Sequence, residues 1–443
     1  MKNFLSTLTN IWKIDELRVR ILYTLLILLV YRVGSFIVLP GVNPGSLNSE
    51  TKEGLLGLLN MFAGGSFSRA SIFALGVMPY ISASIVVQLL GIAVPYFQKM
   101  QKEGESGRKK INQITRYLTI IITALQAVGY VKSQVSPDAR LISEPLFTIS
   151  CIFVLTAGTM FVMWMGEKIT DKGIGNGISL IIMTGIIAQL PSGLFSELIS
   201  RQSGQGGLIA FIIEIVALFA VVMFTVLIIQ GTRKVPVQYA KKIVGSKQYG
   251  GVRQYIPLKL NAAGVMPIIF AQAIMFIPST IGQFFPSAQS PLLASFSDYT
   301  SIAYNLTFAI LIILFTFFYT AITINPNQMA DDMKKNGGFV PGVKPGKTTA
   351  DYIDAIISHI TLPGAFALAF IAILPSLAII LGVNSQFAHF FGGTSLLILV
   401  AVVLDTLQQV ESHLLMRHYD GLMKTGRIKG RNTANTFSAG NAV

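Results

Sequence analysis

Of the 443 residues, 52% are hydrophobic and 12% charged, roughly half the charged share of an ordinary soluble domain. So little polar surface excludes a dissolved globular fold and makes lipid the solvent for most of the exterior. The net charge of +14 alone would suit a nucleic-acid binder, but its placement along the chain assigns most of it to membrane topology.

The chain opens on an amphipathic stretch, Met1 to Arg20, and no small-residue cleavage site follows the first apolar block, so that block is expected to stay as a span. At about 20 apolar residues per crossing, ten spans are predicted. They are Ile21–Leu39, Ser71–Val94, Tyr117–Val131, Leu146–Met165, Ile178–Leu194, Leu208–Ile229, Ala262–Phe285, Ile302–Ile324, Leu362–Leu381 and Gly393–Val410. The third is short, with Arg116 and Lys132 placed to snorkel at its ends, and Gln189, Pro191 and Gly193 interrupt the end of the fifth.

Lysine and arginine alternate with these spans. The N-terminus carries four, and the segments after spans two, four, six and eight carry six, two, seven and four, with five more in the tail. The remaining five loops hold five in total, Lys52, Arg69, Lys132, Arg140 and Arg201. Such a bias predicts that both termini and the long basic loops face the cytoplasm. Ten spans divide into a half over residues 1–200 and a half over 201–443, and an odd half of five must end on the side opposite its start. Two similar halves are then inverted relative to each other, an architectural inference, since no internal sequence match is evident.

Between spans one and two, Leu55 to Phe67 reads LLGLLNMFAGGSF. It is apolar, too short to cross, and carries Gly64-Gly65 near its end. On the outer side such a segment must bury itself in protein as a mobile insert or lie flat at the interface; the glycine pair with Ser66, Ser68 and Arg69 favours the insert.

Two cytoplasmic loops, Gln230–Asn261 and Asn325–Thr361, exceed what a connection needs, and the first bears seven positive charges and no acid. Long ordered loops are usually functional, and this one suits RNA, an acidic motor protein or lipid headgroups.

Charges inside the spans are few: Arg32, Glu214 and Asp405. An ion-coupled transporter places acids, His or Lys at mid-depth, so these read as structural pairings. Cys151, the single cysteine, lies in an apolar run as a buried thiol, and His359, His389, His413 and His418 have no ligand spacing, so no metal or cofactor is expected. The run from Gly342 to Thr348 brushes a phosphate-binding loop, but its glycines are too close together and no strand–loop–helix context is predicted. No enzyme motif is found, and an intramembrane enzyme ranks last.

Six motifs in order along nearly the whole chain closely resemble the SecY family of translocation channels. They are Asn60–Ser84, Lys102–Lys109, Gly173–Ser179, Pro257–Asn261 with Gly264, Phe339–Gly342 and Phe391–Leu397. The resemblance implies an all-α membrane protein of ten transmembrane helices in two inverted pseudo-symmetric halves of five, forming an hourglass pore for unfolded polypeptides. Matched position by position, it puts an aliphatic ring on Val77, Ile81, Ile178, Ile182, Ile269 and Ile398. Residue 77 is often Ile in relatives. An apolar ring offers no ligands to replace an ion's hydration shell and gates by dewetting.

The resemblance makes the insert, about residues 55–71, a plug including Leu55, Leu58, Met61, Phe62, Gly64, Gly65 and Arg69, and puts Gln88 and Asn261 at a lateral gate between spans two and three and spans seven and eight. It implies docking of the SecA motor ATPase and the ribosome on Arg233, Lys234, Lys241, Lys242, Lys247, Lys334, Lys335 and Lys344. Relatives usually carry Arg where this chain has Lys344, and an Arg pair where it reads Ser246-Lys247. Further implied partners are the SecE and SecG subunits, signal peptides and unfolded chains, membrane lipids, SecDF and YidC, all at a bacterial inner membrane. The alternative reading is a secondary transporter for a small solute, which also uses inverted repeats.

Overall fold

The computed structural model describes residues 12, 14–47, 55–202, 207–239, 242–244, 247–249, 253–284, 298 and 300–425, with side chains through Met275 in the seventh long helix and Leu414 in the last. Ten long helices stand where the ten apolar blocks were read. They are α1 (Asp15–Gly34), α3 (Met78–Ala93), α5 (Glu105–Gln134), α6 (Leu146–Lys172), α7 (Gly177–Gln202), α8 (Gly207–Gln230), α9 (Met266–Phe284), α10 (Ile302–Thr323), α12 (Lys347–Ile380) and α14 (Gly393–Thr425). Between them lie the short helices α2 (Leu55–Phe62), α4 (Pro95–Lys102), α11 (Pro326–Lys335) and α13 (Ser385–Ala388), and strands β1 (Thr232–Tyr239), β2 (Lys242–Val244), β3 (Lys247–Tyr249), β4 (Arg253–Lys259) and β5 (Gly338–Phe339). The protein is a ten-helix all-α membrane protein with a small sheet on one end.

Polarity is inverted relative to a soluble fold. Helix α8 turns Ile209, Ile212, Phe219 and Leu227 outward and buries Glu214, Thr225 and Ile228. On α5 the buried hydroxyls of Thr115, Thr119 and Thr123 donate to carbonyls four residues back, so each is satisfied within its own helix.

Boundaries moved for identifiable reasons. Span two becomes helical only at Met78, because Pro79 occupies a first-turn position and Ala70 and Gly76 before it have positive φ. It then bends by 102° into α4. Span three starts at Glu105, where the basic run SGRKKINQ continues the helix and Lys109 pairs with Glu105 at 3.3 Å. Span five runs through Pro191 to Gln202, carrying Glu197 and Arg201 into the protein rather than leaving them in a loop. Span ten continues past its expected end at 410 to Thr425, so the tail expected from about 414 begins as helix.

Helices α1, α3, α5, α6 and α7 pack on one another, as do α8, α9, α10, α12 and α14; the two sets meet where α7 touches α8 and α14 and where α5 touches α9.

The two long basic loops fold together. β1 pairs antiparallel with β4 and with β5, in the order β4-β1-β5. Alternation buries Val235 and Val237 of β1 and Leu258 of β4 against Met333, Val340, Ile353 and Ile357. The last two lie on α12, which starts at Lys347 rather than at 362, because Ala350, Ile353 and Ile357 form a stripe at helical spacing facing the sheet. The Gly342–Thr348 run therefore does sit between a strand and a helix, contrary to expectation. The strand has only two residues, however, and the Thr349 hydroxyl is used on the Lys344 carbonyl at 2.8 Å.

Candidate functional site

The six aliphatic residues, spread over more than 300 positions of sequence, converge on one apolar cluster at the meeting of α3, α7, α9 and α14. Val77, Ile182 and Ile398 are buried in it, and Ile81, Ile178 and Ile269 pack against it. The same cluster takes Met61 and Phe62 of the insert, and Phe387, Phe390 and Phe391 from the turn before α14. Phe391 opens one of the family-like motifs, whereas Phe387 and Phe390 showed only as the apolarity of FAHFF. All six are β-branched, with stiff χ1, and five lie within helices while Val77 caps the start of α3, around a centre reached by helices from both sets.

The insert divides in two. Within residues 55–65, Met61 and Phe62 join this cluster, while Ala63 packs in the neighbouring one. α2 packs on α7, and the backbones touch: a Cβ on Gly185 would stand 2.5 Å from the Phe62 carbonyl oxygen, and one on Gly64 3.0 Å from the Gly185 Cα. Gly64 and Gly65 have φ of 64° and 84°, the left-handed region that glycine enters without strain. Residues 66–71 belong instead to a second cluster, where Phe67 and Ala70 pack with Tyr130, Val131 and Phe147. There the Tyr130 hydroxyl donates to the Phe67 carbonyl at 2.6 Å, and the Leu39 amide to Ala70 at 2.8 Å. The side chains of Leu55 and Leu58 are outside the described residues.

Arg32, for which the sequence offered no partner, reaches this insert. Its Nη1 donates to the Gly64 carbonyl at 2.9 Å, and Arg69 Nη2 donates to the same oxygen at 3.0 Å. Both guanidiniums lie over the Phe36 ring, at 5.1 and 4.3 Å from its centroid. Partial burial first, and the neighbouring Arg32 charge second, lower the Arg69 pKa from its ordinary value.

The other embedded charges pair away from the cluster. Glu214 is buried. It meets Arg201 Nη2 at 2.5 Å, while Arg201 Nε donates to Glu197 at 2.8 Å. Glu197, at 0% exposure, also accepts the Asn384 amide at 2.8 Å, and Arg201 donates to the Gly382 carbonyl at 2.9 Å. This network ties α7 to α8 and to the turn after α12. The i, i+4 spacing of Glu197 and Arg201 was its legible signal. Asp405 is exposed and accepts from Gln409. Among the described residues no group of three His, Cys, Asp or Glu side chains is placed to hold a metal.

Of the gate pair, Gln88 Oε1 and Asn261 Oδ1 are both buried without a hydrogen-bond partner, so the two amides are not bonded to each other. Across that seam the packed helices are α5 and α9. Of the basic docking residues, Arg233, Lys234, Lys334, Lys335 and Lys344 are exposed on the sheet-and-helix module. Lys241 lies outside the described residues, as do the side chains of Lys242 and Lys247.

A ten-helix membrane bundle with an apolar waist and an insert seated on it is a channel architecture. The family model SecY matches residues 71–407. Over 95–96% of this chain it is 42% identical to the protein translocase subunits SecY of Chlamydia muridarum and Streptomyces scabiei, each matched over its full length. The fold matches a solved protein-conducting channel with a TM-score of 0.66 at 18% identity, covering 92% of this chain and 95% of that one, and a canine Sec61 solved in a ribosome–channel complex with a TM-score of 0.62, also at 18% and with the same coverage. The chain belongs to the SecY family.

Proposed function

We propose that the aliphatic cluster is the constriction of a polypeptide-conducting pore, and that this chain is the channel-forming subunit of the Sec protein translocase. The observation that carries the reading is the convergence of Val77, Ile81, Ile178, Ile182, Ile269 and Ile398 with the insert's Met61 and Phe62 in one cluster. A pore for unfolded chains must pass any side chain, so specific binding groups are a disadvantage, whereas apolar walls exclude ions by denying them a replacement hydration shell. The embedded acids are held in a structural network elsewhere, which removes the coupling groups a solute pump would need.

In this reading residues 55–65 close the resting pore from outside, and the two inverted halves form the hourglass. A seam between α3 and α5 on one side and α9 and α10 on the other, with Gln88 and Asn261 on it, opens to release apolar segments into lipid. In a solved relative the plug domain is described as stabilising the closed state of the translocation channel and maintaining a membrane seal. The basic module faces the cytoplasm of a bacterial inner membrane, with both termini on that side, and receives SecA or the ribosome. SecE and SecG complete the complex, and SecDF and YidC act beside it.

A secretory chain stalled in transit, with photoreactive groups at Ile81 and Ile269, is expected to crosslink at both. No adduct at either position, with adducts on the outer helix faces instead, would refute the pore. A second expectation concerns the module. Replacing Lys241, Lys242 and Lys247 together by Glu weakens motor or ribosome binding, most visibly at low ionic strength where screening is least. Equal affinity for both versions removes this loop tip from the docking site.

A further inference from the structure

We propose that Arg32 is a latch: a positioning residue on the first span that sets how often the insert leaves the pore. The inference rests on the reading of residues 55–65 as the seal and names the group that holds it shut.

Besides the local bond from Ser66 Oγ to the Ala63 carbonyl at 2.7 Å, three insert carbonyls are each held by a side-chain donor from outside residues 55–65. Gly64 O accepts from Arg32 on α1 and from Arg69 beyond the glycine pair, Asn60 O from Gln189 Nε2 on α7 at 3.0 Å, and Phe67 O from Tyr130 on α5. The last belongs to the anchored part, since Phe67 is in the second cluster. The bonds to other helices that must break when residues 55–65 lift are therefore those from Arg32 at Gly64 and from Gln189 at Asn60, while Ser66 and Ser68 hold Ala63 and Asn60 locally.

The Gly64 contact is the stronger of the two. A carbonyl oxygen has two lone pairs, and both are taken here by guanidinium donors, each a charge-assisted bond. The oxygen also lies between two like charges. With the insert seated, its partial negative charge sits where Arg32 and Arg69 both aim. With the insert gone, the two cations face each other over the Phe36 ring without it. Hydrogen bonds to charged groups are worth enough that losing one moves an equilibrium by about tenfold or more. Arg32 holds the Gly64 oxygen from a transmembrane helix, whereas Arg69 lies in the same segment as the insert.

The test measures resting open probability of the complete channel complex in planar bilayers. Arg32→Gln is expected to raise it about tenfold, and Arg32→Lys, which keeps the charge but not the fork, by less. On a background lacking residues 55–65, Arg32→Gln is expected to add nothing, because the oxygen it held is already gone. Gln189→Leu, which removes the donor to the Asn60 carbonyl, raises it too and keeps the test alive should Arg32→Gln fold poorly. If the deletion leaks while Arg32→Gln and Gln189→Leu both behave as wild type, the latch is wrong and the seal stands. If Arg32→Gln leaks equally more with and without the insert, Arg32 acts elsewhere and the proposal falls. If the deletion itself does not leak, the underlying reading of the insert fails.

Discussion

Removing residues 55–65 should raise the resting ion conductance of reconstituted channels by about tenfold or more, measured as current in planar bilayers without motor, ribosome or substrate. Met61 and Phe62 are buried members of the waist cluster, and their loss opens the ring to water from the outer side, where dewetting was holding ions back. The cut ends at Gly65 rather than at Ser71 for a structural reason. Phe67 and Ala70 are core residues of the neighbouring cluster, and Ser71 bridges Val38. A longer deletion would confound leakage with unfolding. Conductance unchanged from wild type would mean that the ring closes unaided and that the insert has another purpose.

Arg201→Met should cost about 3–5 kcal/mol of stability, the range for breaking a buried ion pair by removing one partner. It strands Glu197 and Glu214 in an interior where Glu197 is 0% and Glu214 9% exposed. The Asn384 amide partly compensates Glu197, whereas Glu214 loses the guanidinium held at 2.5 Å. Thermal unfolding of the purified protein in detergent reads the loss directly. The triple variant Arg201→Met, Glu197→Gln, Glu214→Gln should recover much of it, since neutral amides bear burial far better than lone carboxylates. A melting temperature unaffected by Arg201→Met would show that water reaches this corner and that the network is ornamental.

The spans were readable because lipid imposes a crude rule, about 20 apolar residues per crossing, and all ten blocks became helices. Their ends were less readable, since helix continues wherever it finds a second reason to. Beyond the membrane, α12 begins at Lys347 because Ile353 and Ile357 have a sheet to pack on, and that sheet was itself hidden in a loop read by its charge. Alternation in Val235-Pro236-Val237 and Ile256-Pro257-Leu258 was its trace. The ring positions were invisible to composition, because an isoleucine lining a waist and one packing a helix look alike; only the motif resemblance picked them out. The Gly64 oxygen could not have been found as the partner of Arg32, since a main-chain acceptor leaves no mark on the residue that carries it.

Gly185 faces Gly64 with no side chain on either. Main chain rests on main chain there, and the clearance is smaller than a single methyl group. The seal thus has a machinist's tolerance at this point: its fit is decided by two missing carbons, on residues that are neither greasy nor charged and that no inventory of ring members would include.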